Sequence, residues 1–316
     1  MNTHIVIGRV CIGVFLFVLA SLFPGKVFAA KVYFEMSRNT VSVGDTIVVE
    51  VKIDTDKTSI NTVEGDILLD QQEGTIVVND FSLAQSVFSV WPRTPSLAHD
   101  GRRVSFVGGI PGGFDTDHMT VFNIILEAQK EGVVSLSPEA MGIYANDGKG
   151  TRVPVTVDPL TITVLPKSSA VAPVNDWGNI VASDKINPEK LTITIGRDAT
   201  LFDGKRFAFF NATDTESGVS YYEVSEDGRS PVRSGSMYVL QTQDEHTVPN
   251  LTVTVYDKAG NKTTLVYTEP DARLLGISFA SYQWGVVGII AVVLIYWGIK
   301  KRNKKRFYNH HDETIQ

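Results

Sequence analysis

The sequence predicts an all-β protein built from two β-sandwich domains and joined to a membrane by one C-terminal helix. Three observations support this class. Apolar and polar residues alternate at every second position through much of the chain, and Gly, Asn and Asp turn signals separate the runs. Near the C-terminus, one long apolar segment is followed by a block of basic residues. No long amphipathic helix pattern competes with the strands.

Residues 1–29 are predicted to be a secretory signal peptide. Arg9 gives the segment a positive start, residues 10–23 are apolar, and Pro24 ends the apolar run. Small residues leading up to Ala29 are typical of a signal-peptidase site. We therefore expect cleavage after Ala29, the alternative being an uncleaved anchor.

The first folded unit is predicted to span residues 31–165. In one of its strands Val49, Val51 and Ile53 share a face, while charged residues share the other. Residues 122–128 are apolar almost without a break, which is typical of a strand buried on both faces. These patterns predict a sandwich that contains one fully covered strand.

A linker, residues 166–173, is predicted to separate the first unit from a second one at residues 174–268. The linker consists mostly of small residues and is bounded by prolines. The second unit repeats the strand alternation, for example in residues 191–195 and 251–255. Because such linkers join independently folded units, we expect two domains with a small, polar contact between them.

Residues 279–299 are predicted to form a transmembrane helix. They contain no charged side chain, and a helix of this length is about 31 Å long, which matches the hydrocarbon core of a bilayer. Tyr and Trp residues stand near both ends, as in aromatic belts. The tail, residues 300–316, begins with Lys and Arg. Positive segments remain cytoplasmic, so the tail is predicted to lie inside the cell and the folded units outside.

Charge and cysteine content exclude several classes of function. The net charge is −6 at pH 7, and basic residues at the two ends conceal a more acidic ectodomain. Nucleic-acid binding is disfavoured, because phosphate contacts need clustered Lys and Arg. The one cysteine, Cys11, lies in the predicted signal peptide. The mature protein is therefore expected to have neither disulfides nor a cysteine-based metal site.

Several segments of the first unit together resemble the cohesin family, in particular the cohesin-like domains of bacterial surface proteins. These segments are residues 43–45, 59–65, 106–113 and 145–151. The resemblance implies a jelly-roll sandwich related to carbohydrate-binding modules, of the kind that binds dockerins in cellulosomes. In the second unit, residues 214–224 and 255–261 resemble bacterial Ig-like or fibronectin type III-like modules, which says little about a ligand.

The sequence contains no recognisable catalytic motif, so we predict that the protein is not an enzyme. The ectodomain histidines, His99, His118 and His246, are far apart and match no metal-ligand spacing. The acidic segments 54–56 and 146–148 contain oxygens suited to Ca²⁺, but neither has the spacing of an EF-hand. Asx turns explain both segments better, and no cofactor is predicted.

Three functions remain open at this point. The first is a recognition or scaffolding protein on a bacterial cell surface that binds a protein partner, dockerin-like or other. The second is a polysaccharide-binding surface protein, and the third is a passive stalk of the envelope. Sugar sites usually expose a row of aromatic rings, whereas the first unit has one tryptophan, Trp91, with Tyr33 and Tyr144 distant in sequence. The first function is therefore favoured, although the fold alone does not decide.

Thr62, Glu64 and Asp66 are the predicted partner-binding residues. The resemblance implies that part of the contact face is the strand at residues 60–70, where Thr62 and Glu64 occupy the Asn and Asp positions of dockerin-binding cohesins. This departure argues against an ordinary dockerin as the partner. The alternation independently places the three side chains on one face and Val63 on the other. The alternative is a solvated face of a half-buried strand.

Overall fold

The computed structural model describes residues 29–267, except for residues 245 and 248. Among these described residues, no helix is both long enough and apolar enough to cross a membrane. The predicted transmembrane helix, the basic tail and all of the signal peptide except Ala29 lie outside the described residues.

The first domain is a sandwich of two mostly antiparallel sheets. Its strands are β1 (Ala30–Glu35), β2 (Thr40–Ser42), β3 (Thr46–Asp54), β4 (Ile60–Gln71), β5 (Ile76–Ser82), β6 (Val90–Leu97), β7 (Arg103–Phe114), β8 (Met119–Ala128), β9 (Gly132–Ala145), β10 (Arg152–Val153), β11 (Val155–Val157) and β12 (Leu160–Leu165). One sheet, called here the β3 sheet, has the order β11-β1-β3-β8-β5. The other, the β4 sheet, has the order β2-β12-β9-β4-β7-β6, with β10 paired to β9.

The core of the first domain lies between these two sheets. On β3 the predicted inward residues Val49, Val51 and Ile53 are all 0% exposed, whereas the polar residues between them are not buried. Across the core, the rings of Phe106 on β7 and Phe122 on β8 lie 4.9 Å apart in an edge-to-face arrangement. Burial of such large apolar side chains supplies most of the stabilisation of a sandwich.

Strand β8 is buried on both faces, which confirms the interpretation of its continuous apolar run. Ile124 and Ile125 point to opposite faces of the β3 sheet, yet neither is more than 1% exposed. The chain that follows β5 covers the outer face, because the side-chain amide of Asn123 donates to the carbonyl groups of Ser82 and Ala84.

The second domain is a smaller pair of antiparallel sheets. Its strands are β13 (Glu189–Arg197), β14 (Arg206–Thr213), β15 (Val219–Glu226), β16 (Val232–Ser234), β17 (Met237–Val239), β18 (Leu251–Asp257) and β19 (Lys262–Val266). One sheet has the order β13-β14-β17 and the other β16-β15-β18-β19. Phe210, Val224 and Val253 are each at most 1% exposed in the core of this domain. The second unit is therefore a β-sandwich, as predicted, while its resemblance to Ig-like modules stays a prediction.

The predicted linker ends where the chain is held again by the first domain. The N–H of Val174 donates to Oδ1 of Asp45 at 2.8 Å, and its carbonyl accepts from the N–H of Thr46 at 2.9 Å. The linker residues before this point are exposed. From Val174 onwards, the chain is therefore held against the first domain, directly after the predicted linker.

A short helix that the sequence pattern did not predict follows this anchor. Helix α1 (Asp176–Ser183) begins after Asn175, whose side chain accepts from the N–H of Gly178 as an N-cap. Asp176 forms an ion pair with Arg38 of the first domain, with the nitrogen and oxygen 2.9 Å apart. The helix has only eight residues and no buried ones, so it carries no strong amphipathic signal.

The contact between the two domains is polar in part, but it also contains an apolar cluster. Val90 of the first domain packs with Phe207 and Phe209 of β14, and all three are buried. The contact also includes an ion pair between Asp80 of β5 and Lys258, which directly follows β18. The contact, expected to be small and polar, therefore also has an apolar part, where Val90 of β6 meets β14.

Candidate functional site

The three predicted binding residues lie on the outer face of β4, at the centre of the β4 sheet. Strand β4 pairs with β9 on one side and with β7 on the other. The intervening Val63 and the following Ile67 are 0% exposed and belong to the core. The predicted division of β4 into a polar outer face and an apolar inner face therefore matches the structure, while the binding role of these residues stays a prediction.

Thr62 differs from the other two because it is only 3% exposed. In the sheet register it lies between Tyr144 of β9 and Gly109 of β7. Its hydroxyl donates to the side-chain oxygen of Asn61 at 3.0 Å. Thr62 therefore helps to form the face but offers little surface to a partner.

Asp66 is the centre of a polar network that crosses three strands. Its Oδ2 accepts from the guanidinium of Arg103 at 3.0 Å, and its Oδ1 accepts from the hydroxyl of Ser105 at 2.6 Å. Arg103, on β7, also lies 3.4 Å from the carboxylate of Glu139 on β9. The network presents two carboxylates and a guanidinium in a fixed order across the face, each partly exposed.

Glu64 is held by a second cross-strand contact. Its Oε1 accepts a hydrogen bond of 2.7 Å from the hydroxyl of Tyr144 on β9. Burial raises the pKa of Tyr144, and the adjacent carboxylate of Glu64 raises it further, so the phenol stays protonated and continues to donate. The carboxylate of Glu64 is therefore oriented before any partner arrives.

Glycine at position 142 makes this arrangement possible. A Cβ at Gly142 would lie 2.9 Å from Cγ and Oε1 of Glu64 and 3.0 Å from the hydroxyl of Tyr144. A side chain here would push both groups away from the sheet. Because residue 142 has no side chain, the surface around the Glu64–Tyr144 pair is low, and a partner can approach it closely.

Trp91 does not form an exposed platform for a sugar. Its ring packs edge-on against Phe88, with ring centroids 5.8 Å apart, and against Phe122, with centroids 6.3 Å apart. In the second domain Tyr221 and Tyr256 stack at 4.8 Å, but Arg233 lies 3.8 Å above the ring of Tyr221 and covers it. Neither set gives the row of open aromatic faces that sugar binding favours.

In both acidic segments considered for Ca²⁺, an aspartate already accepts hydrogen bonds from the protein. Oδ1 of Asp147 accepts from the N–H of Lys149, and its Oδ2 accepts from the hydroxyl of Thr151. Oδ1 of Asp54 accepts from the N–H of His118 at 2.7 Å. The bonds of Asp147 agree with the turn interpretation of residues 146–148. Asp54 instead bonds to a residue 64 positions away, so the turn interpretation of residues 54–56 stays a prediction.

His118 is also accounted for by local contacts. Its Nδ1 lies 2.8 Å from the hydroxyl of Tyr33. The side chain is 77% exposed, as expected for a residue of a surface loop.

A different carboxylate cluster, which the sequence did not predict as a site, lies inside the second domain. Asp184, Asp214 and Asp257 are 1%, 4% and 2% exposed. Each offers a carboxylate oxygen within 4.8 Å of the others. Burial raises the pKa of Asp214, and the neighbouring carboxylates of Asp184 and Asp257 add to the rise.

The three aspartates come from the ends of three separate elements. Asp184 directly follows α1, Asp214 directly follows β14, and Asp257 is the last residue of β18. Two of them stand in the segments 214–224 and 255–261 that resemble Ig-like modules. The sequence shows that each of these two segments places an aspartate near a strand end. It does not show that the two aspartates lie close together in the fold, or that Asp184 joins them.

Comparison with known proteins finds similarity to cohesin modules only among solved structures. No protein-family model and no curated protein matches the chain. A non-cellulosomal cohesin from the hyperthermophilic archaeon Archaeoglobus fulgidus is 16% identical with a TM-score of 0.35, covering 45% of this chain and 95% of that one. A type I cohesin from Pseudobacteroides cellulosolvens is 13% identical with a TM-score of 0.38, covering 46% and 97%.

A cohesin module of a family 33 glycoside hydrolase from Clostridium perfringens is 12% identical with a TM-score of 0.36, covering 44% of this chain and 99% of that one. The matched share corresponds in length to the first domain. These solved structures are cohesin modules, the family that the sequence motifs of the first unit resemble. At identities and TM-scores of this size, both fold and ligand have to be argued from the residues of this chain.

Proposed function

We propose that this chain is a membrane-anchored recognition protein of the cell surface, which binds a protein partner through the outer face of the β4 sheet. The observation that carries the proposal is the fixed polar array on that face. Glu64 is held by Tyr144, and Asp66 is held by Arg103 and Ser105. Polar groups that are oriented before binding lose less conformational freedom when a partner contacts them.

The shape of the face also supports binding to a folded protein rather than to a small molecule. The array spreads over β9, β4 and β7, and Gly142 keeps its centre low. A flat, polar sheet surface offers many contacts to another protein and no enclosed space for a small ligand. The resemblance to cohesins points to a partner of dockerin kind, while the Thr62 and Glu64 positions argue against an ordinary dockerin.

The anchoring part of the proposal comes from the sequence. The apolar segment 279–299 and the basic residues after it support a single-pass topology with the folded domains outside the cell. We propose a binding role and no catalytic one, since the polar face carries paired ionic groups without a cleft. Polysaccharide binding is the weaker alternative, because Trp91 packs edge-on against core rings.

The test is retention of a partner by the full chain, immobilised through its C-terminus in detergent and exposed to surface extract of the same cells. We expect wild type to retain a defined protein that the triple variant Thr62→Ala, Glu64→Gln, Asp66→Ala releases. The matched control is Glu50→Ala, on the outer face of the β3 sheet, whose carboxylate is 39% exposed. Equal retention by the triple variant would place the site elsewhere, and retention of nothing by wild type would favour a passive stalk.

A further inference from the structure

We propose that Asp184, Asp214 and Asp257 bind one divalent cation, and that Ca²⁺ is the ion that these oxygen ligands suit best. The proposal does not depend on the function of the β4 sheet. It concerns the interior of the second domain, next to the junction with the first.

The first argument is the charge that the three side chains bring together. All three carboxyl groups are at least 96% buried, and their oxygens lie within 4.8 Å of one another. Their donors include backbone N–H groups and the side-chain amide of Asn261, and the carboxyl group of Glu216 also lies beside Asp184. None of these donors carries a formal charge. Buried carboxylates at this distance repel strongly unless a cation or a bound proton compensates them.

The second argument is a carboxylate oxygen without a partner. Oδ1 of Asp214 accepts from the N–H groups of Glu216 and Gly218. Oδ2 of Asp214 is fully buried and has no hydrogen-bond partner among the described residues. With Oδ1 turned towards its own loop, Oδ2 is the oxygen left for the other two carboxylates.

A buried hydroxyl in the same loop supports this interpretation. Ser217 is 0% exposed, and its Oγ is also without a partner among the described residues. The N–H of the same residue donates to Oδ2 of Asp184 at 3.1 Å, so the loop lies against the cluster. Unsatisfied buried oxygens are costly and rare. A bound cation explains why the fold keeps buried oxygens without a hydrogen-bond partner at this place.

The type of the oxygens selects the ion. Oxygen ligands lie about 2.3–2.6 Å from Ca²⁺, so two ligands of one ion are at most about 4.6–5.2 Å apart. The carboxylate oxygens of the cluster, all within 4.8 Å of one another, fit that span. Mg²⁺ keeps several waters and is usually held by one or two carboxylates, whereas three buried protein carboxylates suit Ca²⁺. Carboxylate ligands without sulfur or imidazole are also unlike a zinc site.

The position of the cluster gives the ion a structural consequence. The loop from Asp214 to Gly218 carries the contacts to the first domain: the hydroxyl of Ser82 donates to the carbonyl of Ser217 at 2.7 Å, and the N–H of Gln85 donates to the carbonyl of Asp214 at 3.3 Å. The approach is so close that a Cβ at Gly218 would lie 2.5 Å from Oγ of Ser82. A cation that fixes this loop would therefore fix the second domain against the first.

The test is a calorimetric titration of the full chain, purified in mild detergent and freed of cations with EGTA. We expect one Ca²⁺ per chain, with Mg²⁺ bound at least tenfold more weakly. Asp214→Asn and Asp257→Asn should each weaken Ca²⁺ binding at least tenfold. The control, Asp56→Asn, changes an exposed aspartate in one of the two acidic segments and should bind Ca²⁺ as wild type does. Equal Ca²⁺ binding by Asp214→Asn, or none by wild type, would overturn the proposal.

Melting temperatures separate a metal ligand from a merely structural aspartate. Asparagine at position 214 keeps an acceptor for the two loop N–H groups and places a donor where Oδ2 had no partner. Without Ca²⁺, the Asp214→Asn variant should therefore melt at or above the temperature of wild type. With Ca²⁺, wild type should melt higher and the variant should not respond. A variant that melts lower than wild type under both conditions, beside a wild type that ignores Ca²⁺, would contradict the proposal.

Discussion

Tyr144 on β9 donates a hydrogen bond of 2.7 Å to Glu64 on β4, across 80 residues of sequence. Tyr144 is only 8% exposed, so its hydroxyl depends on Glu64 as its one acceptor. The pair links the predicted binding residue Glu64 to the stability of the sheet. Substitutions at Glu64 therefore test binding cleanly only when they keep an acceptor for Tyr144.

The first prediction concerns Glu64. Glu64→Ala should weaken retention of the partner by about 1–3 kcal/mol, the range for a central polar contact. It should also lower the melting temperature, since the buried hydroxyl of Tyr144 loses its acceptor. Glu64→Gln keeps an acceptor and should restore most of the melting temperature while binding stays weak. Binding equal to wild type in both variants would exclude Glu64 from the contact face.

The second prediction concerns Tyr144 itself. Tyr144→Phe removes the hydroxyl and leaves the carboxylate of Glu64 free, at a cost in unfolding free energy of about 0.5–1.5 kcal/mol. Partner affinity should fall with it, because Glu64 is no longer oriented. Chemical denaturation measures the first effect, and the retention assay measures the second. Tyr33→Phe, at another raised-pKa tyrosine outside the β4 sheet, is the control and should leave retention unchanged.

Part of this site could be predicted from sequence, for a physical reason. Alternation with period two fixes which side chains of one strand share a face, so the outer positions of Glu64 and Asp66 follow from β4 alone. Burial depends on neighbouring strands that are remote in sequence. Thr62 is covered beside Tyr144, and no local pattern indicates that. The cluster of Asp184, Asp214 and Asp257 is still less predictable, since three strand and helix ends meet only in the folded domain.

The third prediction concerns the anchor of the linker. Burial alone would raise the pKa of Asp45, but the N–H groups of Ser42 and Val174 and the charge of Arg38 outweigh it and hold the pKa below its ordinary value. The folded state therefore binds this proton less readily than the unfolded state. Its stabilising contribution is present above the ordinary value of 3.8 and is lost as the pH falls through the lower, folded value.

Asp45→Asn should reproduce at neutral pH what acid does to wild type. The hydrogen bonds from the N–H groups of Ser42 and Val174 lose their charged acceptor, and the ion pair with Arg38 is lost. The unfolding free energy should therefore fall by about 1–3 kcal/mol. Limited proteolysis should cut faster between residues 167 and 174, because Val174 is no longer held at 2.8 Å. Asp176→Asn, which weakens the neighbouring ion pair with Arg38, provides a comparison. An unchanged cleavage rate in Asp45→Asn would show that other contacts hold the linker.

The fourth prediction tests whether the two domains unfold as separate units. Phe122 lies in the core of the first domain and Phe210 in that of the second, and both are 0% exposed. Substitution of either by alanine should cost about 3–5 kcal/mol in its own domain. Scanning calorimetry of the full chain should show two transitions, each lowered by only one variant. A single transition lowered by both variants would mean that the contact of Val90 with Phe207 and Phe209 couples the domains fully.

The last prediction places the chain in the membrane. Residues 279–299 are long and apolar enough to span a bilayer, and the Lys and Arg that follow should keep the C-terminus in the cytoplasm. Protease added to intact cells should therefore remove the folded domains, while a tag placed after Gln316 survives as a small membrane-bound fragment. After the cells are broken open, the same protease should destroy the tag as well. Loss of the tag in intact cells would reverse the topology, and its release into the soluble fraction would show that the segment does not span the membrane.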